Sequence, residues 1–173
     1  SYDIVVRECR EVMIPFDPIR QAIKKRYRYT IRNAKVPDPM GNRFHWWIPK
    51  ALDLDKMRLA AGFLIGTHDF KSFETLGSPR KSSTRTVYEL TIEALPSMDG
   101  QDLWIEIEAD GFLYNMVRNI VGALWTIGSD RFSPQWMQTF LQMRARDTSS
   151  HTAPPQGLCL VQVTYPDLVY LDR

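Results

Sequence analysis

Between Ala109 and Gly128 the chain carries Leu113, Met116, Val117, Ile120, Val121, Leu124 and Ile127 at three- and four-residue intervals, the spacing that sets them on one face of a helix. No other stretch constrains the fold as strongly, because so broad an apolar face has to be buried against other elements. Between Asp110 and Asp130 a single charge interrupts it, Arg118. At ~100° per residue Arg118 falls about 140° round from Leu113, on the flank of the apolar face. An arginine there either carries its guanidinium to water along its own stem or meets an anionic partner, since an unpaired buried charge costs several kcal/mol or more. Gly122, one turn on, bears on the choice. Glycine inside a helix costs about 1 kcal/mol relative to alanine, so its presence marks a close approach by another backbone or a ligand. The pattern leaves open both a boundary arginine and one held beside a functional carboxylate or phosphate.

The elements around this helix follow from periodicity. Ile4 to Met13 reads as a strand that begins almost at the first residue, and Asp53 as the N-cap of a helix with Leu54, Met57, Ala61, Leu64 and Ile65 inward, stopped by Gly66. Tyr88, Leu90, Ile92 and Ala94 alternate along one strand and Leu103, Ile105, Ile107 and Ala109 along another. The Asp99-Gly100 turn between them makes an antiparallel hairpin. Ser133 and Pro134 start a further helix with Trp136, Met137, Phe140 and Leu141 as its core stripe, and Leu158 to Tyr165 reads as a strand central to the sheet. The proline-rich Val36 to Pro49, with Trp46 and Trp47, reads as a connecting loop. This order implies an α+β fold, an antiparallel or mixed sheet with helices packed on one face, in one domain over residues 1–173.

The most basic segment lies between Asp17 and Asp38, where seven cations stand without an acid. Its centre alternates as a strand would: Tyr27, Tyr29 and Ile31 on one side, Arg26, Arg28, Thr30 and Arg32 on the other. Guanidiniums suit phosphates, and tyrosine rings offer bases a stacking surface worth ~1 to 3 kcal/mol each. A half-buried strand with a basic solvated face fits the same pattern. The Ser/Arg/Lys stretch from Ser78 to Arg85, including Lys81, fits a second phosphate contact and equally a mobile solvated surface loop.

Other chemistries find little support. Cys9 and Cys159 lack Cys-x-x-Cys spacing and read as core thiols in strands, and His45, His68 and His151 are scattered, so spacing assembles no metal cluster. His68 beside Asp69 reads as a loop-fixing pair rather than an acid/base pair. A net charge of +2 is too small to mark a nucleic-acid binder by itself. No apolar run reaches the ~18 residues of a membrane span and no signal-peptide pattern opens the chain, so a soluble, unsecreted, cytoplasmic protein is expected.

Five stretches together resemble one family: Lys25-Arg26-Tyr27-Arg28-Tyr29; Gly66-Thr67-His68-Asp69-Phe70-Lys71-Ser72-Phe73; Ser83-Thr84-Arg85-Thr86; Gly111-Phe112-Leu113-Tyr114-Asn115-Met116-Val117-Arg118-Asn119-Ile120-Val121-Gly122; and Thr152-Ala153-Pro154 with Gly157-Leu158. From about Lys24 to Pro166, and in the same order, they match the TruA-type tRNA pseudouridine synthases. The resemblance implies part of a pseudouridine synthase-like catalytic fold. It implies isomerisation of uridine to pseudouridine in the anticodon stem-loop of tRNA, by a homodimer that uses neither metal nor organic cofactor. It further implies that the Tyr27 ring lies against the target base and that Arg118 forms an ion pair with the family's essential aspartate; the basic strand and the Ser/Arg/Lys stretch add Arg26, Arg28, Arg32, Lys81 and Arg85 as candidate RNA contacts. In the family that aspartate stands in a Gly-Arg-Thr-Asp-Ala-Gly type motif N-terminal to the region matched. This sequence contains no such motif, and the role passes to none of Asp69, Asp110 or Asp147. The expectation is therefore the C-terminal part of a synthase, its N-terminal domain absent, inactive alone. The alternative is a non-catalytic RNA-binding or dimerisation module.

Overall fold

The computed structural model describes residues 3–12, 15–75, 82–143 and 151–167. Lys24–Ala34 forms β1, the strand around which the sheet is laid. One of its edges pairs antiparallel with Gly100–Ala109, β5, from Lys25 opposite Ala109 to Ala34 opposite Gly100. The other edge is shared. Trp46–Ile48, β2, lies parallel to its C-terminal half, and Leu158–Thr164, β6, antiparallel to its N-terminal half. Thr84–Ser97, β4, forms the hairpin with β5, and Gly66–Asp69, β3, adds to β4, giving the order β2-β1-β5-β4-β3 with β6 beside β1.

Alternation decides which side of the sheet is dry. Tyr29 and Ile31 of β1 sit opposite Ile105 and Leu103 of β5, and all four are fully buried. Onto that face pack α1 (Leu54–Gly62), α2 (Met116–Gly128) and α3 (Trp136–Gln142), whose Met57, Ile120, Leu124, Ile127 and Met137 complete one core. The α+β expectation, with helices on one face of a mixed sheet, is met. Asp53 caps α1 as read, its Oδ1 accepting from the Lys56 amide at 3.0 Å. Among the described residues no helix is long and apolar enough to cross a membrane.

Several expectations are corrected. Residues 109–115 are not helical: β5 runs to Ala109, and α2 begins only at Met116, after Asn115 takes a left-handed backbone with φ 59°. Residues 4–11 make no strand; Ile4, Val5 and Val6 are exposed, because an apolar alternation becomes a strand only where a sheet edge accepts it. Val36 to Pro49 contains β2 rather than only loop. α1 ends at Gly62, and Ile65 is half-exposed; Gly66, at φ 105°, opens β3 instead. β6 is an edge strand, not a central one. Among the described residues only β1 pairs with it, so Leu160 and Val161 stay exposed. Cys159 on the same strand and Cys9 are exposed free thiols, not core ones. Tyr88 points outward because two residues, Tyr88 and Glu89, stand where the ladder from Val87 opposite Ala109 to Glu89 opposite Glu108 has room for one. Val87 takes the core position in its place.

Candidate active site

The N-terminal turn of α2 is tied to two other segments through its polar side chains. Asn119 donates from Nδ2 to the Phe73 carbonyl at 2.7 Å and accepts at Oδ1 from the Thr152 hydroxyl, also at 2.7 Å. The Thr75 amide donates to the Tyr114 carbonyl at 3.1 Å. Residues 151–154 thus lie as a strap across α2. The Gly122 expectation is met here: a Cβ built at that position overlaps the His151 carbonyl. The Tyr29 hydroxyl closes the strap by donating to the Pro154 carbonyl at 2.7 Å. Burial pushes that phenol's pKa well above the usual tyrosine range, against the opposing effect of the Arg118 charge.

Arg118 sits under this strap, half-buried. Its Nε donates to the Ala153 carbonyl at 2.7 Å, its Nη1 to Asn115 Oδ1 at 3.0 Å, and its own carbonyl accepts from the Ala153 amide at 3.1 Å. Both side-chain acceptors are neutral, and among the described residues no carboxylate lies within ion-pair distance of it. A guanidinium withdrawn from water and left uncompensated attracts an anion strongly.

Beside it opens a cleft of about 320 Å³ lined by Tyr27, Lys25, Phe112, Leu158 and the Leu113 to Val117 turn, Asn115 included. The Tyr27 ring stands edge-on to Phe112, centroids 5.0 Å apart and planes at 86°. A second hollow of about 380 Å³ shares Lys25 and Phe112 with the first and continues it past Gly111 and Asp110 to Thr84 and Arg85. The structure therefore brings Tyr27 and Asn115, the anchor of Arg118, to one cleft and sets Arg85 at its extension. A larger hollow of about 530 Å³, lined by Phe63, His68, Asp69, Gln138, Leu141 and Gln142, holds no residue of β1 or α2.

The remaining cations of β1 lie elsewhere. Strand alternation sends Arg26, Arg28 and Arg32 to the sheet face opposite Tyr27, where carboxylates of β4, β5 and their turn meet them. Arg26 pairs with Glu89, Glu106 and Glu108, Arg28 with Glu106, Arg32 with Asp99 and Asp102, and Lys24 with Glu108. Arg28 also lies over the Trp104 ring, 3.7 Å from its centroid. These arginines form a compensated ladder on the basic face read from the alternation of β1. Lys24 and Arg26 hold the Glu108 carboxyl below its usual range. For Glu106, burial acts upward, but the hydrogen bonds of Arg28 and Arg26 more than offset it. The cation that does share Tyr27's face is Lys25, which the strand pattern hid by placing it at the end of the aromatic row. Lys81 and Asp147 fall outside the described residues.

The other aspartates are occupied locally. Asp69 Oδ1 accepts from the Lys71 amide at 3.1 Å and from the Ser83 hydroxyl, the loop-fixing role read for it, while His68 Nε2 contacts the Ile65 carbonyl. Asp110 accepts from the Thr86 amide at 3.0 Å and returns its own amide to the Thr86 carbonyl, locking the end of β5 to β4.

Comparison with known proteins bears on this site. A family model described as tRNA pseudouridine synthase matches residues 60–166. The protein named tRNA pseudouridine synthase A of Thermoanaerobacter sp. (strain X514) is 42% identical over 163 residues, covering 94% of this chain and 65% of that protein. Its namesake of Moorella thermoacetica is 40% identical over the same shares. That of Myxococcus xanthus is 36% identical, over 95% of this chain and 61% of the relative. The chain thus spans about 65% of the length of the first of these curated relatives. The match runs through the β3 to β6 region, including the α2 turn that carries Asn115 and Arg118, and by it the chain belongs to the tRNA pseudouridine synthase family.

Proposed function

We propose that this chain is the C-terminal part of an enzyme that isomerises uridine to pseudouridine in the anticodon stem-loop of tRNA, a cytoplasmic homodimer working without metal or organic cofactor. In that reaction the glycosidic bond breaks, the uracil turns within the site, and the base is rejoined to the ribose through carbon. A base taken out of its stack needs an apolar surface to lie on, and the Tyr27 ring, fixed against Phe112, supplies one at the cleft. Arg118 holds the nucleophilic aspartate, which comes from a segment outside this chain; Lys25 and Arg85 lie toward the RNA backbone.

The observation that carries this reading is the half-buried guanidinium of Arg118, bound to two neutral oxygens and no carboxylate among the described residues, beside a cleft that presents an aromatic ring. A carboxylate delivered from outside would complete it. The occupied state of Asp69 and Asp110 supports placing the nucleophile elsewhere.

The test is tritium release from tRNA whose uridines are labelled at the carbon that becomes the new attachment point. Release by a polypeptide extended upstream to the length of the relatives, and none by this chain, is the expected result. Release by this chain alone would refute the missing nucleophile. Binding of tRNA by both without release would favour a non-catalytic module.

A further inference from the structure

We infer that Asn115 is a positioning residue for Arg118, an inference that rests on the reading of Arg118 as the anchor of an anionic group. An asparagine just before a helix ordinarily turns its side-chain oxygen back onto an amide of the first turn. Asn115 does not: it precedes α2 with a left-handed backbone and makes no side-chain cap bond. Its Oδ1 accepts from Arg118 Nη1 at 3.0 Å, and its Nδ2 donates to the Thr75 hydroxyl at 3.3 Å. The left-handed backbone, which asparagine tolerates better than most residues, is what aims the oxygen away from the helix amides.

The consequence is geometric. A guanidinium is a planar fork of five N–H donors. With Nε held by the Ala153 carbonyl and Nη1 by Asn115, its plane is fixed at two points, and Nη2 remains without a partner among the described residues. Both anchors are uncharged, so they orient the fork without cancelling the charge that an incoming anion meets. Asn115 also lines the cleft that holds Tyr27, which ties the orientation of Arg118 to the surface where the base lies.

Asn115→Gly separates the side chain from the backbone, because glycine accepts the left-handed conformation freely. In the upstream-extended polypeptide, loss of a hydrogen bond to a charged group predicts a kcat for tritium release lower by about 10- to 100-fold. KM for tRNA should stay within about threefold, since the residue orients a reacting group rather than holding the RNA. Nuclear magnetic resonance gives a readout independent of activity: resolved Nη1 and Nη2 proton signals of Arg118 should merge in Asn115→Gly and stay resolved in Asn115→Asp, which keeps an acceptor at the same place. A kcat within about threefold of the parent, or unmerged signals in the glycine variant, would overturn the assignment. If the parent polypeptide releases no tritium, the functional reading fails instead, and the Arg118 signals alone decide the role of Asn115.

Discussion

Arg118 and Ala153 hold each other twice, the Ala153 amide donating to the Arg118 carbonyl at 3.1 Å and the Arg118 Nε to the Ala153 carbonyl at 2.7 Å. Backbone and side chain of one residue thus grip one point of the strap. Arg118→Ala removes only the side-chain half. It should cost about 1 to 3 kcal/mol in urea unfolding and leave a folded protein, yet abolish tritium release by the upstream-extended polypeptide. Arg118→Lys keeps the charge but cannot present a fork while reaching both neutral oxygens, and it should lose at least about 100-fold in rate. Near-normal turnover in the lysine variant would show that charge alone suffices.

Gly122→Ala sets helix propensity against packing. Alanine should favour α2 by about 1 kcal/mol, but its Cβ overlaps the His151 carbonyl, and overpacking of this kind typically costs about 1 to 3 kcal/mol. The expected outcome is a lower melting temperature together with reduced turnover, because the strap that yields also carries the acceptor of Arg118. A higher melting temperature would mean that residues 151–154 do not rest on the helix.

Tyr27 is expected to act through its ring. Tyr27→Phe retains the edge contact to Phe112 and should change turnover by less than about threefold; Tyr27→Leu forfeits a stacking surface worth ~1 to 3 kcal/mol and should lose roughly 5- to 150-fold. Steady-state kinetics on tRNA decide between ring and hydroxyl, since a phenylalanine variant as weak as the leucine one would assign the role to the hydroxyl.

Acid should weaken the fold through the carboxylates of the ladder. The Glu108 and Glu106 carboxyls both titrate below their usual range in the folded protein, so folding favours their ionised forms. That contribution is complete above the ordinary glutamate pKa of about 4.3 and disappears as pH falls through the lowered folded values. Urea midpoints followed from neutral to about pH 3 should therefore drop steeply, and the double variant Glu106→Gln/Glu108→Gln should show a flatter acid limb. Parallel curves would rule out the ladder as the acid-sensitive element.

What could be read from the residues was what depends on local repetition. The α2 stripe, the β4–β5 alternation and the Asp53 cap are each decided within one or two turns or along a single strand, and Gly122 announced a close neighbour because its cost inside a helix has to be offset somewhere. What stayed hidden depends on partners remote in sequence. The ion pairs of Arg26, Arg28 and Arg32 are made with acids on β4, β5 and the turn between them, which periodicity within β1 does not reveal. β2 is too short to show a period, and β6 looks interior by composition although among the described residues only β1 pairs with it. The bulge at Tyr88 and the left-handed Asn115 change direction at a single residue, and that moved Tyr88 outward and delayed the start of α2. At the candidate site, the aromatic row of Tyr27 and the flank position of Arg118 could be read from periodicity, whereas the nearness of Lys25 to the one and of Asn115 to the other emerged only with the cleft.

The compensated ladder has a further meaning when the order of synthesis is considered. Among the described residues, β1 precedes each strand that pairs with it: β2, β5 and β6 all follow it in the chain. Until they arrive, its alternating Tyr27, Tyr29 and Ile31 form the kind of apolar, strand-prone segment that seeks other copies of itself. Arg26, Arg28 and Arg32, with no acid nearby in sequence, give the nascent strand a like-charged face that repels such copies. The same side chains that bind the sheet together once β5 is made guard β1 while it waits.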